Sequence, residues 1–172
     1  MVLLRSVCLL LSLLCGCTPA LDWRRVRPPG LDLEAMFPCR PATLSRAVVI
    51  AQRRVEMTMH ACAASGSTYA VGAMTLDDVR DVGAALGALR DAAAHNVGAA
   101  AGETQAAQVS GMTPHAQAAR ITLAGRRPDG TAVVEHLTVF ARGPRVYQAM
   151  VIGDRPDADA VSTFFAALKV GS

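Results

Sequence analysis

Between Arg53 and Cys62 the chain alternates with a period of two. Val55, Met57, Met59 and Ala61 fall on one side, and Glu56, Thr58, His60 and Cys62 on the other. Only an extended strand returns every second side chain to the same face. This stretch therefore belongs to a sheet whose two faces meet different surroundings. Similar extended runs surround it. Residues 31–37 read as a short strand closed by Pro38-Cys39-Arg40-Pro41, residues 45–51 as a strand, and residues 67–74 as another with Tyr69, Val71 and Ala73 on one face. Gly66 marks the turn between the Arg53–Cys62 strand and the strand at 67–74. Further on, residues 104–110 read as a weak strand and 116–125 as a stronger one. Arg127-Pro128-Asp129-Gly130 has the composition of a hairpin turn, because proline presets one dihedral and glycine accepts positive φ. Residues 131–142 and 145–153 complete the strands, joined by Gly143-Pro144.

Two stretches change to a helical period. Val79, Val82, Leu86, Leu89, Ala93 and Val97 recur on one stripe. Thr75 with Asp78 resembles the start of a capping box, and Asn96 and Gly98 suit the stop. A long central helix is expected from Thr75, with Gly83 and Gly87 inside it permitting close approach to a sheet. Asp154-Arg155-Pro156-Asp157 opens a terminal helix whose buried face is Val161, Phe164, Phe165 and Leu168. Strands, long helix, antiparallel strands and terminal helix predict an α+β fold: a largely antiparallel sheet with both helices packed on it.

The first residues read differently. Arg5 precedes an apolar run too short to span a bilayer, which needs about 20 residues, and the run has the length of a signal-peptide core. It ends Leu14-Cys15-Gly16-Cys17, which resembles the lipobox of bacterial lipoproteins. The resemblance implies cleavage after residue 16 and acylation of Cys17. An ordinary secretory signal cut near Ala20 is the alternative. Thr18 stands where Asp would favour retention in the inner membrane, so the outer membrane is expected, with the protein on the periplasmic face. The expected organisation is a signal peptide over 1–16, a lipidated tether over 17–30 containing Pro28-Pro29-Gly30, and one domain over 31–172. Removing residues 1–16 leaves 156 of 172 residues, enough for a single core. A formal charge of +3 argues against a nucleic-acid partner.

That address decides the cysteines. Of five, Cys8 and Cys15 leave with the signal and Cys17 is acylated. Cys39 and Cys62 remain, and two thiols in an oxidising compartment read as one disulfide, with two buried free thiols or metal ligation as alternatives.

The element order also resembles the PsbP-like fold. The matching positions are Phe37-Pro38, Tyr69-Ala70-Val71, the central helix, and Val146-Tyr147-Gln148-Ala149-Met150 leading to Phe164-Phe165. The resemblance implies a binding or assembly accessory and transfers no catalytic residue.

Chemistry is sparse. Met57, Met59, His60 and Cys62 are ligand types that suit copper(I), but strand alternation divides them between two faces. His60, His95, His115 and His136 lie in separate elements, without zinc-motif spacing. Asp77, Asp78 and Asp81 suit the expected start of a helix. Arg120, Arg126, Arg127, Arg142 and Arg145 read as a solvated rim. No cofactor, metal site or catalytic set is expected. The chain reads as a lipid-anchored, non-enzymatic accessory that binds an envelope component, or alternatively as a periplasmic carrier of a small ligand or metal.

Overall fold

The computed structural model describes residues 21–50, 53–100 and 102–171. Among them are strands β1 (Arg24–Val26), β2 (Leu33–Phe37), β3 (Ala42–Ile50), β4 (Arg53–Ala64) and β5 (Ser67–Thr75), then helix α1 (Val82–Asn96). Strands β6 (Thr104–Ala106), β7 (Ala119–Arg126), β8 (Ala132–Arg142) and β9 (Arg145–Gly153) follow, then helix α2 (Ala158–Ala166) and β10 (Lys169–Val170). A seven-stranded antiparallel sheet runs β3-β4-β5-β9-β8-β7-β6, and a three-stranded antiparallel sheet runs β1-β2-β10.

The molecule is therefore mostly β, which corrects the expected α+β class with its long central helix. The difference begins at Thr75. Instead of capping a helix, Thr75 is the last residue of β5 and pairs with Arg145 of β9. Each further ladder position satisfies backbone groups that a helix start would leave open. Asp78 then caps a single 3₁₀ turn over Val79–Asp81, accepting from the Arg80 amide at 2.9 Å. The α-helix starts only at Val82. Its expected stripe is real from there on, since Val82, Leu86, Leu89, Ala93 and Val97 are buried, but Val79 lies outside it and is 59% exposed. The two glycines also differ from expectation. A side chain at Gly83 would meet the His115 ring at 3.1 Å rather than the sheet, and one at Gly87 would meet nothing closer than an arginine tip at 4.0 Å.

Other local signals give elements where the residues demand them. Around the 127–130 turn, the Gly130 amide donates to the Arg127 carbonyl at 2.8 Å, and Asp129 accepts from the Thr131 amide and hydroxyl. Gly130 has φ +86° and Gly143, in the next turn, +54°. Asp157 caps α2 through the Ala160 amide at 2.8 Å, and Val161, Phe164, Phe165 and Leu168 are all buried. Within the segment expected as a tether, Arg24–Val26 form a strand on β2. Arg25 and Arg27 each reach the buried carboxylate of Glu34 at 3.0 Å. The Arg27 hydrogen bond holds that carboxyl below its usual range.

The large sheet separates two cores of different character. The small sheet and α2 cover one face. All of the chain's aromatic residues (one Trp, two Tyr and four Phe) gather there. Phe164 is their centre, edge-on to Phe37 at 5.6 Å, Tyr69 at 5.5 Å and Phe165 at 5.4 Å. Helix α1 covers the other face, where the packing is aliphatic and methionine-rich, with Met57 and Met74 fully within it. The alternation of β4 feeds both cores. Val55, Met57 and Met59 pack on the α1 side, and Cys62 on the aromatic side.

Candidate functional site

The site grows out of two strands whose polar residues fall in phase with an apolar face. In β8, Val133, Leu137 and Val139 point towards α1 and are at most 1% exposed. Glu135 has the same phase, so the pleat carries its carboxyl to the apolar side, where the residue is only 3% exposed. In β9, Gln148 lies in phase with Val146, Met150 and Ile152. Glu135 pairs across the sheet with Leu123 and Ile152, neither of which offers a partner.

Above these residues the helix does not close onto the sheet. Ala92 and Ala93 present only methyl groups, and between them and the sheet lies a cleft of about 430 Å³. Leu89, Ala92, Ala93 and Asn96 line it from α1 and Val97 from just past its end, Met57 and Met59 from β4, Gln148, Met150 and Ile152 from β9, and Arg46, Val48, Val49 and Ile50 from the edge strand β3. Glu135 lies within this lining. Its carboxyl makes no hydrogen bond or ion pair among the described residues, and burial pushes its pKa up to about 7. Gln148 Nε2 donates to the Met59 thioether at 3.9 Å. Arg46 stands at the exposed rim and makes no ion pair among the described residues.

Two other hollows are weaker candidates. One of about 770 Å³ is lined only by residues 106–118, so it is the concavity of a single loop. Another of about 400 Å³ lies between α2 and β7–β8. There the Thr138 hydroxyl is buried without a partner among the described residues, but Arg120, the groove's cation, sits 4.8 Å over the Phe165 ring.

The residues singled out from sequence separate as follows. Cys17 lies outside the described residues. Cys39 and Cys62 form a disulfide, with sulfurs 2.05 Å apart and Cα atoms 6.0 Å apart. The bridge ties the exit of β2, in the small sheet, to β4 in the large one. His60 Nδ1 lies 3.0 Å from the Thr43 hydroxyl. Burial lowers its pKa, against an opposing interaction with the Pro29 carbonyl. His136 Nδ1 lies 3.1 Å from the Thr122 hydroxyl, and burial lowers its pKa as well. The arginines of the expected rim are individually engaged: Arg127 with Asp154, Arg142 with Asp32, and Arg145 with Thr75.

Glu135, Gln148 and Arg46 were not among the expected site residues. The signal for the first two was available, because both interrupt an apolar alternation in phase. Nothing local marks Arg46, which reaches the cleft only because β3 pairs with β4.

No family model, curated protein or solved structure matches this chain. No helix among the described residues is long and apolar enough to cross a membrane.

Proposed function

We propose that this chain is a lipid-anchored, non-enzymatic envelope lipoprotein that holds a small apolar molecule in the cleft between α1 and the sheet. The observation that carries the ligand reading is the cleft itself. It is lined mostly by aliphatic and thioether groups, with Arg46, Asn96, Gln148 and the Glu135 carboxyl as its polar members. Binding sites for small molecules have this form, an apolar hollow with a few placed polar groups. Methionine walls also adapt to ligands of differing shape.

The anchor rests on Leu14-Cys15-Gly16-Cys17. Acylation at Cys17 by two or three chains holds a protein on a bilayer, each buried CH₂ contributing about 0.8 kcal/mol. Thr18 favours the outer membrane, facing the periplasm. Replacing Cys17 by Ala should release the protein from the membrane fraction; retention there would defeat the anchor assignment. Native mass spectrometry of protein purified from its host should show an added mass, lost when Ala93→Phe fills the cleft. A clean unliganded mass in both would count against the ligand reading.

A second reading, an assembly accessory for an envelope protein, is favoured by β3. It is an edge strand of the large sheet with Leu44 and Val49 61% and 71% exposed. Such an edge can receive a strand from a partner. Envelope cross-linking with Leu44→Lys as the control would separate the two, because this change leaves the cleft lining intact.

A further inference from the structure

Glu135 poses a physical problem that none of the described residues answers. A carboxyl removed from water needs a hydrogen-bond donor or a cation, or it remains protonated. None of the described residues makes a hydrogen bond or ion pair with it, and the amides in the cleft, Asn96 and Gln148, are not bonded to it. The residues of α1 and its C-terminal cap at the cleft are Leu89, Ala92, Ala93, Asn96 and Val97, none of them charged. β4 offers Met57 and Met59, β9 offers Gln148, Met150 and Ile152, and Leu123 flanks from β7. Among the described residues Arg46 is the only other charged one lining the cleft, and it forms no ion pair with Glu135. The acidic group is thus fixed on the floor of an apolar hollow with room beside it.

We infer that the ligand is an apolar molecule bearing a protonated amine, seated with its ammonium against the Glu135 carboxylate and its hydrocarbon body along Met57, Met59, Leu89 and Met150. This inference rests on the cleft being the binding site and adds the chemical class of what enters it. Charge complementarity selects the cation, because an ammonium restores both the charge balance and the hydrogen bonds that burial removed. Arg46 repels a cation at the rim, so the favourable place for the ammonium is the floor. A fatty acid or other anion would meet like charge at Glu135 and is disfavoured. A neutral alcohol would gain only the apolar contacts.

The test uses the full mature chain carrying Cys17→Ala, so that no acyl chain competes, with octylammonium, octanol and octanoate as matched probes in titration calorimetry. At pH 8 octylammonium should bind at least about tenfold tighter than the other two, the scale of one charge-assisted hydrogen bond. Glu135→Gln should reduce it to the level of octanol while leaving octanol unchanged. Moving wild-type protein from pH 8 to pH 5.5 should weaken octylammonium towards the octanol level, by about thirtyfold at most, the ratio of ionised fractions for a carboxyl titrating at about 7. It should leave octanol unaffected. Octanoate binding as well as octylammonium, or an undiminished amine preference in Glu135→Gln, would overturn the inference while leaving the cleft reading intact. Failure of all three probes to bind folded protein would overturn the cleft reading and the inference together.

Discussion

Replacing Glu135 by Gln should make the protein more stable, and only above a certain pH. Burial raises this carboxyl from 4.5 to about 7. The folded state therefore keeps a proton that the unfolded chain has already released. Stability from this group is fully present below about pH 4.5, falls as pH rises through the window, and levels off above about 7. At about 1.36 kcal/mol per pH unit, the full displacement amounts to at most about 3 kcal/mol. Water entering the open cleft screens the charge and reduces this to about 2 kcal/mol. Gln carries no titrating proton, so the variant should gain about 2 kcal/mol over wild type at pH 8 and almost nothing at pH 4.5. For a domain of this size that is a rise in Tm of about 4–8 °C at pH 8. Guanidinium unfolding of both proteins between pH 4.5 and 8 reads the difference directly. Taking the difference matters, because His60 and His136 have lowered pKa values and contribute the opposite slope below about 6.5. Glu34, Asp78 and Asp129, all lowered, act at more acidic pH. Both proteins share these groups, which cancel. A difference constant across pH, or a variant less stable at pH 8, would refute the picture of a carboxyl penalised by burial.

Three further outcomes follow from the packing. Serine at both Cys39 and Cys62 opens a loop with a sequence separation of 23 and should cost about 3.5 kcal/mol in the chain-entropy model; unchanged denaturation midpoints would argue against it, and non-reducing peptide mapping should recover the pair joined. Gly125→Ala should destabilise by about 2 kcal/mol or more, because its new methyl would lie 1.9 Å from the Val97 carbonyl oxygen, which also accepts the Arg126 amide at 2.8 Å; a normal melting curve would contradict this close crossing. Gly87→Ala, with open space around it, should gain about 0.5–1 kcal/mol from helix propensity alone, and a loss would mean that the helix face is occupied.

Much of the fold was legible locally. The alternation of Arg53–Cys62 placed Met57 and Met59 opposite Cys62, and the sheet keeps them there. The 127–130 turn, the Gly143-Pro144 turn and the buried stripe of α2 carried their own geometry in proline, glycine and helical spacing. These are short-range effects, set by backbone sterics and side-chain period. The start of α1 was not legible, because residues after Met74 had two local options and the β9 ladder, some 70 residues away, selected strand through Thr75. The small sheet was equally hidden, since β1, β2 and β10 come from opposite ends of the chain.

By itself, then, the sequence determined where strands alternate and where turns fall. Only the tertiary structure decided which strands are neighbours, and through that the cleft. Glu135 becomes a buried acid without a partner among the described residues because α1 crosses β8 with alanines beneath it and β3 closes the side. A charge in phase with valines is a visible oddity in one strand. Its meaning depends on what distant segments place above it, since desolvation is a property of the surroundings and not of the residue.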